Sequence, residues 1–203
     1  MGSPRMTVYI VDDNNAFRES LVELVSAMGY KVHGFPSAEA FLKQYPIKRP
    51  ACILLDVFLS NLDGFSLQEM LRKKGVTAPI IFITGHGDVP MSVKAIKKGA
   101  VDFLLKPFNA KDLRAAIVTA LEADQQNVKK EGLQLNIRSL IATLTPREKE
   151  VMYQVITGKL NKQIAVTLGT AEKTIRKHRG SVMKKMQVSS VADLIRILEK
   201  AGN

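Results

Sequence analysis

Short apolar runs and amphipathic stretches alternate along the first half of the chain. Residues 7–11 form one apolar run, and Phe17, Leu21, Leu24, Val25 and Met28 then recur at helical spacing until Gly29 stops the helix. The same beat predicts strands near 31–34, 52–55, 80–83 and 101–105. It predicts helices after Ser37, after Gly64, after Asp88 and over about 109–122. Strands that are apolar nearly throughout, each followed by a helix, imply an α/β unit whose parallel sheet is covered on both faces.

The pattern then changes. Gln125, Gln126, Asn127, Lys129, Lys130, Glu131 and Gly132 make residues 123–140 read as a polar linker, helical in part as an extension of the helix before it. No strand pattern follows. Thr145-Pro146-Arg147-Glu148 is a capping box with proline at the first helical position, a strong helix start. Further helices begin near Asn161, Ala171 and Ser190. The expected organisation is therefore an α/β domain over 6–122, the linker over 123–140 and an all-α domain of four helices over 141–203. Residues 1–5 read as a non-native leader before a start at Met6.

Charge sharpens this division. Residues 1–125 carry 15 basic and 13 acidic side chains (+2), whereas 126–203 carry 15 and 6 (+9), within a total of +11. This asymmetry suggests a polyanionic partner for the C-terminal part, with a solvated basic surface as the plainer alternative that charge alone does not separate from it. The single cysteine, Cys52, allows no internal disulfide and points to the cytoplasm. No apolar stretch is long enough to span a bilayer, and the best, 51–59, is broken by Asp56.

In open α/β sheets, ligands gather beyond the carboxyl ends of the strands. The polar residues expected there are Asp12 and Asp13 after the first strand, Asp56 after the third, Thr84 after the fourth, and Lys106-Pro107 after the fifth. Three carboxylates at one rim repel one another, and Mg²⁺ with its preference for hard oxygen ligands relieves that repulsion. Asp56 is a candidate nucleophile toward phosphorus. Lys106 can neutralise a transferring phosphoryl group, and the Thr84 hydroxyl can bond a phosphate oxygen. Each residue has a plainer role: helix capping for the aspartates, turn chemistry for Thr84, a surface cation for Lys106. A Lys-Pro bond at a strand end is a candidate for the cis form at Pro107. Their occurrence together, in order after successive strands, favours the chemical role.

These residues resemble a receiver domain of the CheY-like kind, a flavodoxin-like (βα)5 fold. The stretches 83–91 (ITGHGDVPM) and 99–103 (GAVDF) resemble the FixJ subfamily of response regulators. The resemblance implies phosphorylation of Asp56 by a sensor histidine kinase. It implies Mg²⁺ held by Asp13, by Asp56, by the main-chain carbonyl of Phe58 and by Asp12 through water, and it makes Phe103 the switch aromatic that turns inward as Thr84 moves. Two features depart from or qualify the pattern. Leu59-Ser60 stands where Met-Pro is usual, which is expected to loosen the loop. Bulky Phe58 is expected to limit water's access to an acyl phosphate.

In the C-terminal part, residues 161–168, Gly169 and residues 171–186 have the form of a helix-turn-helix, whose second helix enters the major groove of double-stranded DNA. Ile175, Val182, Met183 and Met186 fall on one side of that helix, and Lys173, Lys177, Gly180 and Lys184 on the other, with Arg176 flanking them. A membrane-surface helix would show an aromatic edge; the chain has no Trp, and no Phe after Phe108. Gly180 in mid-helix is explained by close approach of DNA or by tight packing. The motifs at 144–148, 161–165 and 173–179 resemble the LuxR-type output domain. By that resemblance Arg176, Lys177 and Gly180 face bases, and Lys162 and Thr174 touch phosphates. His178 is either a further phosphate contact or structural, and Arg179 either packs or meets the DNA backbone. Lys177 replaces the usual valine, so no base preference carries over.

The expected protein is a DNA-binding regulator, and the FixJ resemblance implies that it dimerises on phosphorylation through the surface of its fourth helix, fifth strand and fifth helix; Lys94, Lys97 and Lys98 there read first as a solvated face, and otherwise as part of a dimer interface or of a surface that holds the output domain. Two other classes compete. An aspartyl-phosphate phosphatase of the haloacid dehalogenase type wants a second Asp where Phe58 sits, and a constitutive DNA-binding protein would need no complete acidic rim.

Overall fold

A computed structural model describes residues 6–44, 46–86 and 89–202. Residues 87–88 of the 83–91 motif and the leader at 1–5 lie outside the described residues. Two compact units divide at Val128/Lys129.

In the first unit, β1 (Thr7–Val11), β2 (Lys31–Phe35), β3 (Ala51–Asp56), β4 (Ile80–Thr84) and β5 (Asp102–Leu105) pair in parallel in the order β2-β1-β3-β4-β5. The chain reverses its winding between β1 and β3, which opens the binding crevice of such sheets beyond the ends of those two strands. β1, β3 and β4 are buried along their full length, as expected of central strands covered on both faces. Tyr9, Ile53, Leu55 and Phe82 point to the layer of α2 (Ala38–Leu42), α3 (Gly64–Lys73) and α4 (Val89–Lys97). Val8, Ile10, Leu54 and Ile81 alternate to the other face, against α1 (Asn15–Ala27) and the start of α5 (Ala110–Ala142).

Local sequence sets the helix starts. Asn14, Ser37 and Asp63 each accept a backbone N–H two or three positions into α1, α2 and α3. Gly64 is required by close approach. A Cβ there would stand 2.4 Å from the Asp56 carbonyl oxygen and 3.0 Å from the Phe82 ring. The glycine thus lets α3 begin against the end of β3.

The α5 helix is longer than its pattern suggested. It runs Ala110–Ala142, so the stretch expected to be a polar linker is helical along its whole length. Polarity in this stretch does not oppose helix formation, because most of it is Gln, Glu, Lys, Arg, Leu and Ala, which are good helix formers, and Gly132 is its only glycine. Asp124, beyond the expected end of the domain at 122, is fully buried. Its carboxylate accepts from the Arg49 guanidinium (2.5 and 3.0 Å) and from the Ala51 N–H (2.8 Å), pinning α5 to the start of β3.

The second unit contains α6 (Pro146–Ile156), α7 (Asn161–Thr167), α8 (Glu172–Lys185) and α9 (Val191–Gly202). Leu144, Val151, Met152, Val155, Ile164, Ile175, Val182, Met186 and Leu194 form its core. Thr145 and Glu148 form the predicted capping box, with Pro146 at the helix start. Glu148 also pairs with Lys185 of α8 at 2.6 Å, and these bonds and the Lys185 cation hold its carboxyl below the usual glutamate range. Among the described residues no helix is long and apolar enough to cross a membrane.

Candidate functional site

At the carboxyl rim of β1 and β3, Lys106 Nζ donates to Asp12 Oδ2 at 2.8 Å and to Asp56 Oδ2 at 2.7 Å. Both carboxylates are buried. Burial pushes the Asp12 carboxyl above its ordinary range against the pull of Lys106, and the Asp56 charge adds to the rise. Burial alone would lower the Lys106 ammonium, but its bonds and attraction to Asp12 and Asp56 outweigh it and hold the group above its usual value. Lys106 is therefore a fixed cation. Its own N–H donates to the Thr84 carbonyl at 2.8 Å, and the Lys106–Pro107 peptide bond is cis. Asp56 Oδ1 accepts the Phe58 N–H at 3.0 Å, so the acceptor carboxylate is held at both oxygens.

The other rim residues are arranged differently. Asp13 is exposed, and its Oδ2 accepts the Ser60 hydroxyl. Among the described residues no three His, Cys, Asp or Glu side chains are gathered as a metal-holding group. Thr84 is fully buried and its Oγ1 accepts the His86 N–H at 3.2 Å. Phe103 on β5 is half-buried against the α2–α4 face of the sheet. Phe58 is 51% exposed, and its ring meets His86 edge-on at 6.5 Å. The loop after β3 is anchored despite lacking proline: Leu59 and Leu62 pack on the core and the Gly64 N–H donates to the Val57 carbonyl at 2.8 Å.

In the second unit, Lys173, Arg176, Lys177, Gly180 and Lys184 form the exposed side of α8, with Lys162 exposed on α7. Ile175, Val182 and Met186 are buried beneath. Thr174 and His178 are half-buried at the margin of the two faces. Arg179 donates to Asn161 Oδ1 at 3.1 Å and so ties α8 to α7. A Cβ at Gly180 would meet nothing within 4 Å, so packing inside this chain does not call for the glycine.

Comparison with known proteins places both units. Residues 8–118 match the response regulator receiver domain, and residues 142–198 match the bacterial regulatory proteins of the luxR family. The chain belongs to the response regulators. Nodulation protein W of Bradyrhizobium diazoefficiens is 45% identical over 200 residues, 98% of this chain and 88% of that protein. Transcriptional regulatory protein FixJ of the same organism is 40% identical over 195 residues, 96% and 95% of the two chains. A low-resolution structure of the response regulator StyR superposes with a TM-score of 0.88 at 38% identity, covering 97% of this chain and all of that one. This response regulator thus joins a phosphorylation-controlled receiver to a LuxR-type DNA-binding domain, and its role is regulation of transcription.

Several contacts of the response regulator had no local signal in its sequence. Ser60 reaches Asp13 across 47 positions and Lys185 reaches Glu148 across 37. Arg147, visible in a motif, donates to the Leu168 carbonyl and ties α6 to the end of α7.

Proposed function

We propose that Asp56 is the residue phosphorylated by a partner histidine kinase, and that the modification controls DNA binding by α8 through dimerisation of the receiver. The supporting observation is the pairing of Asp56 and Asp12 on one Lys106 ammonium beside the buried Thr84. An Asp56 oxygen forms the new bond to phosphorus as the donor's bond breaks, phosphorus–nitrogen in a kinase phosphohistidine and phosphorus–oxygen in acetyl phosphate. Lys106 lies within hydrogen-bonding distance of the acceptor and offsets the incoming negative charge. The Thr84 hydroxyl, now turned to His86, is the group that would bond the new phosphate.

Receiver domains generally use Mg²⁺. The donors at this rim fit it in kind, since Asp12, Asp13, Asp56 and the Phe58 carbonyl are all hard oxygen ligands. These residues would hold the ion, with Asp13 turned from Ser60. When bound, the ion supplies positive charge that neutralises carboxylate and phosphoryl oxygens. Phosphorylation and later hydrolysis of the acyl phosphate are promoted by the receiver's own residues.

The dimer surface is supported by exposed apolar side chains: Val93 and Ile96 on α4, Leu105 on β5 and Val118 on α5. Lys94, Lys97 and Lys98 are all exposed, and Lys94 and Lys98 turn over the Phe65 ring at 4.8 and 5.5 Å. A two-fold dimer suits a two-fold promoter site. Arg176, Lys177 and Gly180 would face bases. Lys162, Lys173, Thr174, His178 and Lys184 would lie along phosphates, giving affinity without sequence information. The place of action is the cytoplasm, where both the promoter and a kinase's phosphoryl donor are found.

The test is incubation with Mg²⁺ and acetyl phosphate followed by intact mass, beside Asp56→Asn. One phosphate adduct on the wild type and none on the variant supports the reading. Equal adducts on both would place the acceptor elsewhere.

A further inference from the structure

Lys106 meets a third partner besides its two carboxylates. Its Nζ lies 3.8 Å from the centroid of the Phe17 ring. An ammonium has three N–H directions. Here two run to Asp12 and Asp56, and the ring face, where aromatic electron density is greatest, lies close to the same nitrogen.

Phe17 is itself firmly held. It sits in the first turn of α1, and its N–H donates to the Asn14 side chain at 3.0 Å. Its ring meets Phe108 at a centroid distance of 6.2 Å and an interplanar angle of 85°. Phe108 follows the Lys106–Pro107 pair, so ring and cation are positioned by the same turn of chain. Both rings pack against the α1/α5 layer of the core.

We infer that Phe17 is a positioning residue for phosphoryl transfer: its ring face takes the side of the Lys106 ammonium that water would otherwise occupy, and keeps that cation aimed at the acceptor. A lysine ammonium is compact and strongly hydrated on a flexible stem. Without a partner on its third side it would draw water into the rim and sample other rotamers. A leucine at position 17 would fill comparable space and keep the core packed, but it has no negative face. The inference rests on the reading that Lys106 serves transfer to Asp56.

The experiment uses the full chain carrying ¹⁵N-lysine, as wild type, Phe17→Leu, Phe17→Trp and Lys106→Met. Two quantities are read: the rate of phosphorylation by acetyl phosphate with Mg²⁺, and water exchange of the Lys106 ammonium protons by NMR. Thermal melting confirms that each variant is folded. Phe17→Leu is expected to phosphorylate about three- to tenfold more slowly and to exchange its ammonium protons faster, while Phe17→Trp retains both properties. A Phe17→Leu protein matching the wild type in both, beside a slow Lys106→Met, overturns the role of Phe17 alone. So does a Phe17→Trp protein as impaired as Phe17→Leu, since bulk and packing would then explain the loss. A Lys106→Met protein phosphorylated at the wild-type rate overturns the reading of Lys106 and the inference with it.

Discussion

Replacing Gly180 by alanine should make this protein more stable and a poorer DNA binder. The residue is exposed within α8, and a Cβ there would meet nothing within 4 Å. Alanine is favoured over glycine in a helix interior by about 0.8–1 kcal/mol. For a domain of this size that corresponds to a rise in melting temperature of about 4–8 °C. If α8 enters the major groove with Gly180 against the DNA, the new methyl has to displace a base edge or the sugar-phosphate backbone. The nearest analogy is overpacking in a core, at about 1–3 kcal/mol, or roughly a 5- to 150-fold loss of affinity. Gly132 on α5 is the control, since a Cβ there is equally unobstructed. Gly132→Ala should gain stability with unchanged affinity. The assays are thermal melting by circular dichroism and fluorescence anisotropy on a promoter duplex at one fixed salt concentration, since such affinities depend steeply on salt. A Gly180→Ala protein that is more stable and binds DNA as well as the wild type would remove Gly180 from the interface and, with it, the placement of that side of α8 against bases.

Asp124→Ala should destabilise the receiver by about 3–5 kcal/mol in urea unfolding, because it leaves a partly buried Arg49 guanidinium and the Ala51 N–H without their shared acceptor; a loss under about 1 kcal/mol would contradict the clamp's importance. Glu148 titrates below its ordinary range in the folded domain. Its ionised form therefore adds stability above the unfolded-state pKa, and that contribution fades as pH falls through the lower folded value. Melting of wild type and Glu148→Gln should thus differ most at neutral pH and converge as pH falls through the lowered folded value; a gap independent of pH would show that the charge is not the cause. If the exposed Phe58 ring, edge-on to His86, limits water's access to the acceptor, Phe58→Asn should hydrolyse the acyl phosphate several-fold faster, measured by loss of the mass adduct after the phosphodonor is removed. An unchanged half-life would retire that role for Phe58.

Much of this architecture could be read from residue order because it depends on local periodicity. Five apolar runs with intervening helical spacing specify the parallel sheet, and the polar residues after the first, third, fourth and fifth runs fall on its carboxyl rim. The α8 wheel separated Ile175, Val182 and Met186 from Lys173, Lys177 and Lys184 as the folded domain does. Contacts made across long stretches of chain could not be read. Asp124 looks like one more charge in a polar stretch until folding brings Arg49 and Ala51 against it. Phe17 fits the apolar stripe of α1 equally well whether or not an ammonium lies on its face. The full extent of α5 is hidden for a different reason: an apolar stripe marks a helix in sequence, and the residues past Asp124, expected to be helical only in part, keep helical propensity without a continuous buried face.

On the proposed function, chemistry at Asp56 governs binding at α8. The most direct test is the affinity of full-length protein for its promoter duplex, with and without Mg²⁺ and acetyl phosphate, for wild type and Asp56→Asn. Phosphodonor should shift the wild-type affinity at least severalfold and leave that of Asp56→Asn unchanged. Identical affinities in all four conditions, with the phosphate adduct verified on the wild type, would contradict it and leave a DNA-binding protein whose receiver does not control its output.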